Sequence, residues 1–391
     1  MLVPPQRKLI IVLNNLMSEG TPKMALDICR HCVAEGVAPV ILTLEPAIDE
    51  IGHHFRALGA VIEPVHLPSR GYRRFATLAL ASARAVRRHR ADAVLSMPFG
   101  WHAFIAIGAR LAGARHIVAH VGNHPGGTSA RNRKLLRWMV RLGQPFTHSL
   151  ACCSDYVRRG IVDMLGVRQE DTSVIYNGAA LGEVAARADA ARRRRPPAAR
   201  RRLVMTARYE VHKDQATLIR ALGLLRDNGE DLELVLVGDG SRRGELERLV
   251  AGLGLGDRVD LAGFRDDVPE QLGMADLFVF STTPDEGLGI ALIEAMAAGT
   301  PIVASNVGAC RETLDGNQCG LLVAPNDPHA LATGIRGALN DRDAAEARRT
   351  AGQARAAALF SSRAMFENYM ALLLPAVPST LESPVLAPAQ P

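Results

Sequence analysis

Aromatic residues make up only 4% of the 391-residue chain, which leaves few stacking platforms for single-stranded nucleic acid. No apolar run approaches the length needed to cross a bilayer. The one early burst, Leu9 to Leu13, ends at Asn14-Asn15 and is too short for a signal-peptide core with its cleavage site. It reads as a first strand. The six cysteines (Cys29, Cys32, Cys152, Cys153, Cys310, Cys319) lack paired metal-ligand spacing, so buried small hydrophobes in a reducing compartment are expected. No Asp-x-Asp stands at a strand end, and no metal site is expected.

What is present describes a globular protein. Apolar residues account for 48% and charged ones for 22%, and the length exceeds one ordinary core, so two domains are the default. The net charge of +6 is concentrated in arginine runs at Arg84–Arg90, Arg131–Arg141 and Arg192–Arg202. Such runs suit a solvated face, an anionic membrane surface or a phosphorylated substrate. A nucleic-acid partner is not expected, because the aromatics and the recognition motifs are missing.

Short apolar runs alternate with helical patterns twice along the chain. In the first half strands are expected near 8–14, 39–44, 61–65, 93–96, 116–121, 149–153 and 173–176. Several are continuous rather than alternating, as in parallel sheets covered on both faces. The pattern restarts near 203–207, 233–237, 260–263, 277–281, 302–305 and 321–323. The fold class is therefore α/β: two Rossmann-like, doubly wound domains facing a cleft. Expected boundaries are 1–182 and 201–355, joined by an exposed connector at 183–200, with a disordered Pro/Ala-rich tail at 375–391.

The most telling segment is STTPDEGLGIALIEAMAAGTPIVAS, Ser281 to Ser305. A short strand runs into Glu286, Gly287, Leu288 and Gly289, then into an apolar helix carrying Glu294. A helix start offers free N–H groups and a positive dipole end to a phosphate. Glycine lets a ligand approach the backbone. Glu294 is placed to accept hydrogen bonds from vicinal hydroxyls, as on a ribose. Upstream, Arg208 ends one strand and Lys213 begins the next helix, a cation pair suited to a diphosphate. Gly238-Asp239-Gly240 and Gly263-Phe264-Arg265-Asp266-Asp267-Val268 add two more loops to the same edge.

These segments, VMTARYEVHKD (204–214), LVLVGDG (234–240), LAGFRDDV (261–268) and PDEGLGIALIEAMAAGTPIVAS (284–305), together with IYNGA (175–179), resemble the family 4 retaining glycosyltransferases of GT-B fold. The resemblance implies a nucleotide-sugar co-substrate, held by the second domain without a separate cofactor. It places Arg208 and Lys213 on the diphosphate, Glu294 on the ribose and the 286–289 loop on the sugar and phosphates. It places the Phe264–Val268 loop, Arg265 included, against the base. A last helix near 361–373, within a segment 356–374, would return to the first domain.

The first half departs further from the family. Only Gly20 stands where relatives often carry a glycine pair, and Pro22 removes a donor. The histidine that contacts the donor sugar in the family is either His120 or His124. The acceptor would be a glycan or a lipid-linked saccharide. The clusters 70–74 and 84–90, with Phe75, Leu78 and Leu80, would rest on an anionic leaflet of the inner face of the membrane. The protein is expected in the cytoplasm. Its rival functions are a nucleotide-sugar epimerase on the same fold and a non-catalytic nucleotide-binding regulator.

Overall fold

The computed structural model describes residues 7–17, 20–68, 71–196 and 200–375. Ser18, Glu19, Arg70, Pro197 and the tail from residue 376 lie outside them. The first sheet holds β1 (Lys8–Leu13), β2 (Ala38–Thr43), β3 (Val61–Pro64), β4 (Ala93–Ser96), β5 (His116–Val121), β6 (Ser149–Cys152) and β7 (Thr172–Val174). All pair in parallel, in the order β3-β2-β1-β4-β5-β6-β7. The unbroken apolar run of β1 explains itself in section: Leu9, Ile11 and Leu13 enter one core cluster, Ile10 and Val12 another. Both faces are covered, which is the condition a parallel sheet needs.

The second sheet holds β8 (Arg201–Thr206), β9 (Leu232–Val237), β10 (Val259–Gly263), β11 (Leu277–Phe280), β12 (Ile302–Ser305) and β13 (Leu321–Val323). Its order is β10-β9-β8-β11-β12-β13, again parallel. Each sheet reverses its strand order once, between β1 and β4 in the first and between β8 and β11 in the second. Loops leaving the carboxyl ends of the strands at such a point diverge and leave a crevice for ligand.

The chain end closes the first domain. Ser361 caps the helix Ser362–Leu373 by accepting from the Ala364 N–H at 3.1 Å. Met365, Phe366, Tyr369 and Leu373 of that helix then join the cluster of Leu9, Ile11 and Leu13. The crossing is zipped to the end of the first half, with Ala179 N to Phe360 O at 3.1 Å and Ser362 N to Ala179 O at 3.0 Å.

The expected exposed connector is largely a helix, Leu181–Arg194, packed on the second domain. Ala188 is fully buried, and a Cβ on Gly273 would lie 2.1 Å from its carbonyl oxygen. Two small residues let these helices touch, and an arginine-rich sequence hides that contact. Several of its arginines are paired: Arg195 with Asp276 at 2.6 Å, Arg202 with Glu233 at 2.5 Å, and Arg192 with Asp189. These arginines are spent on internal ion pairs, while Arg193 and Arg194 of the same run stand exposed.

Helix Gly20–Ala34 begins earlier than its apolar stripe suggests, and Pro22 sits in its first turn. A helix leaves its first N–H groups without partners, so proline costs little there.

Candidate active site

The loops after β8 and β11, the two strands at the switch point, meet. Lys213 Nζ forms an ion pair with Glu286 Oε2, and both side chains are largely buried. Lys213 also lies 5.0 Å from the centre of the Phe280 ring. Burial alone would raise the Glu286 carboxyl; the Lys213 ammonium, helped by His212 and the Gly287 N–H, outweighs it and holds the group below its ordinary value. Backbone bonds stitch the same loops together: Thr282 Oγ1 donates to His212 O at 2.7 Å, and Thr283 N to the same oxygen at 3.0 Å. The cation and the acidic-glycine turn thus form one rigid unit. Arg208 stands exposed just beyond β8, its carbonyl accepting from Gln215 Nε2 at 2.9 Å.

Gly289 precedes the helix Ile290–Ala297 with φ +83°, a left-handed conformation in which a side chain is strained. Leu288 is buried, and its carbonyl is held by Thr313 Oγ1 at 2.7 Å. Glu294 lies half-buried on this helix. Burial pushes its carboxyl up to about 7, against the opposing pull of Lys23 from the first domain. A Cβ on Gly20 would lie 3.4 Å from Ile290 Cδ1. The first turns of helices Gly20–Ala34 and Ile290–Ala297 therefore face each other across the cleft.

The 284–289 loop also clamps onto the first domain. Ser154 Oγ donates to Gly287 O at 2.7 Å, and Tyr156 Oη to Pro284 O at 2.8 Å. A Cβ on Gly287 would lie 2.1 Å from Gly122 O, so only glycine admits this approach. Glu312 accepts from the N–H groups of Asp155 (2.6 Å) and Tyr156 (2.7 Å), at the start of helix Asp155–Leu165. Ser154, Tyr156 and Glu312 were invisible to motif reading. The available signal was Ser154-Asp155 ahead of Val157, Ile161 and Leu165, a helix start followed by an apolar stripe.

The two histidines separate. His120 ends deep in β5, buried, with Nδ1 2.9 Å from Tyr369 Oη. Burial pushes it down to about 4, so it is neutral near pH 7. His124 accepts from Gly126 N at 3.1 Å and stacks on Tyr156 with ring centres 4.2 Å apart. Burial lowers it too, with Asp285 opposing. Both line a cavity of about 480 Å³ on the first domain, next to the 284–289 loop.

The remaining loops sit on the same edge. Gly238 has φ +136°, and a Cβ there would lie 2.1 Å from Ala207 O. Phe264 is 72% exposed beyond β10, whereas Arg265 is engaged with Asp267 at 2.6 Å. Val268 opens the short helix Val268–Gly273 and is half-buried. The expected apolar patch on helix Arg73–His89 is corrected: Leu78 is buried and Phe75 stacks on Phe104 at 4.4 Å. Only Leu80 of the three stands out to solvent.

The family model described as "Glycosyltransferase Family 4" matches residues 19–182, and the one described as "Glycosyl transferases group 1" matches residues 187–355. A GDP-mannose-dependent alpha-(1-6)-phosphatidylinositol monomannoside mannosyltransferase of Mycobacterium tuberculosis is 31% identical over 64% of this chain and 67% of its own. The chain belongs to glycosyltransferase family 4. A phosphatidyl-myo-inositol mannosyltransferase of the same organism is 35% identical to this family 4 chain, over 46% of it and 48% of the relative. An Anabaena protein solved with UDP and glucose superposes with TM-score 0.79 at 21% identity, covering 93% of this chain and 98% of that one. Sucrose-phosphate synthase from Thermosynechococcus elongatus does so at 0.76 and 20%, covering 93% and 97%. The two facing parallel-sheet domains of this glycosyltransferase are the GT-B fold.

Proposed function

We propose that this glycosyltransferase transfers a hexose from a nucleotide diphosphate sugar, with retained anomeric configuration and without a metal, to a hydroxyl of a glycan or lipid-linked acceptor. The observation that carries the reading is the buried Lys213–Glu286 pair at the β8/β11 switch point, beside the glycine-led start of helix Ile290–Ala297. Breaking a glycosyl–phosphate bond builds charge on the leaving diphosphate. Lys213, Arg208 and the N–H groups near Gly289 are preorganised to receive it. Glu286 holds Lys213 in place, and the Gly287–Leu288 backbone borders the sugar. Glu294 takes the ribose hydroxyls, while Gly238, Phe264 and Val268 surround the base. His120, neutral and fixed by Tyr369, is the better placed of the two histidines to border the sugar; His124 is committed to Tyr156. The named relatives act on phosphatidylinositol-based lipids, which favours a lipid-linked acceptor.

Among the described residues no helix is long and apolar enough to cross a membrane. We assign contact with an anionic leaflet to helix Ala130–Gly143, which exposes Leu135 (56%) and Trp138 (58%) among Arg131, Lys134 and Arg137. The protein then works as a cytoplasmic, peripheral enzyme. The test is turnover with UDP- and GDP-hexoses, in EDTA, with the product anomer read by NMR coupling constants. An inverted product, or activity lost in EDTA and restored by a metal, overturns the mechanism.

A further inference from the structure

The acceptor side carries an arginine that the reaction above does not use. The cavity of about 480 Å³ is walled by neutral groups, among them Asn14, Asn15, Thr21, Asn123 and Trp101, and no carboxylate or cation lines it. Amides and a hydroxyl of this kind suit the hydroxyls of a sugar or cyclitol, and an indole face suits its C–H side. Trp101 is held by Phe75 (ring centres 6.0 Å apart), which stacks on Phe104 in turn. Over Trp101 lies the guanidinium of Arg74, with Cζ 4.7 Å from the ring centre. Among the described residues Arg74 makes no ion pair, and its Nε is buried without a hydrogen-bond partner. A shielded donor left open is costly, and an arginine fork held on an aromatic face matches a phosphate in geometry and charge.

We propose that Arg74 and Trp101 form a phosphate subsite at the rim of the acceptor cavity, so that the acceptor is a hydroxylated ring bearing a phosphate ester. This rests on the glycosyl-transfer reading and names its acceptor class. The phosphate belongs either to a soluble sugar phosphate or to the headgroup of a lipid.

Trp101 reports on its own subsite once Trp138, the other of two tryptophans, is replaced by phenylalanine. In the Trp138→Phe protein the fluorescence is titrated with inositol monophosphate, inositol, glucuronate and short-chain phosphatidylinositol, and UDP and GDP binding is measured in parallel. Saturable change with inositol monophosphate, weakened about tenfold by Arg74→Gln and partly kept by Arg74→Lys, supports the subsite. A response to both phosphate probes, or a stronger one to the lipid, assigns a headgroup; a response to the monophosphate alone assigns a soluble acceptor. No phosphate response, an equal response to glucuronate, or an unchanged affinity in Arg74→Gln overturns it. Nucleotide binding that persists through such a failure leaves the transfer reading standing, whereas its absence undermines that reading instead.

Discussion

The two edges that face the cleft solve different recognition problems. On the second domain the groups are charged and locked: Lys213 against Glu286, with Glu294 on the helix beyond. On the first the cavity wall is neutral, and a cation, Arg74, waits outside it over Trp101. A nucleotide diphosphate presents the same charges whatever sugar it carries, so fixed countercharges serve every turnover. An acceptor differs from enzyme to enzyme, and amides with an aromatic wall can be retuned without burying a charge. Motif density thus follows the invariant half of the reaction.

Replacing Lys213 should have the largest effect on the charged edge. Lys213→Met is expected to lower kcat by about 10²–10³, the scale set by loss of one preorganised group at a developing charge. It should also leave Glu286 buried without its partner and lower Tm, a penalty of about 3–5 kcal/mol for a truly buried pair. Lys213→Met with Glu286→Gln should recover much of the Tm and none of the kcat. Near-normal kcat in the single variant would remove Lys213 from the leaving-group role.

Glu294 makes the charged edge sensitive to pH. Burial raises its carboxyl from the ordinary value to about 7 in the free protein. A group whose folded pKa lies above its unfolded one favours the folded state at low pH, and that advantage is lost as pH rises from about 4.5 toward 7. The proposed ribose role, in contrast, needs the ionised form, whose two oxygens can accept from both hydroxyls. Donor affinity should therefore strengthen as pH rises through about 7, while intrinsic stability falls over the window below it. Glu294→Gln should weaken donor binding by about tenfold and flatten both profiles, as read by calorimetry and thermal melts. A wild-type affinity that ignores pH between 6 and 8 would contradict the assignment.

Where the chain is buried on both faces, its strands could be read directly. Leu277 to Ser281 was expected as a strand, and β11 spans Leu277–Phe280. The second domain's facing edge was likewise legible, because strand ends and glycines mark it, whereas the first domain's cavity wall, with Asn14, Trp101 and Asn123, carries no such marks. Contacts made by small residues far apart in sequence were not. Ala188 against Gly273 turns an arginine-rich stretch into a packed helix, and nothing local announces it. Helical period alone also misjudged which side of Arg73–His89 faces water, since Phe75 and Leu78 satisfy a buried stripe and an exposed one equally. What separates His120 from His124 is depth in β5 and Tyr369, a partner 249 residues away, and neither is local to the AHVGNHPGG segment.

The mildest test concerns the seam where the two edges touch. Glu312, on the second domain, caps the N-terminus of helix Asp155–Leu165 on the first through two N–H groups. Glu312→Gln removes the charge that favours a helix start and one of the two good acceptors, a loss of about 1 kcal/mol. If the seam orders the 284–289 loop, amide exchange should quicken at Asp155, Tyr156 and Gly287 together, and KM for the donor should rise about twofold to fivefold with kcat little changed. Ser154 Oγ and Tyr156 Oη still hold Gly287 and Pro284 in that variant, so the loop is loosened rather than freed. Faster exchange confined to Asp155 and Tyr156 would mean that the cap serves its own helix and that the donor edge is rigid without help from the acceptor domain.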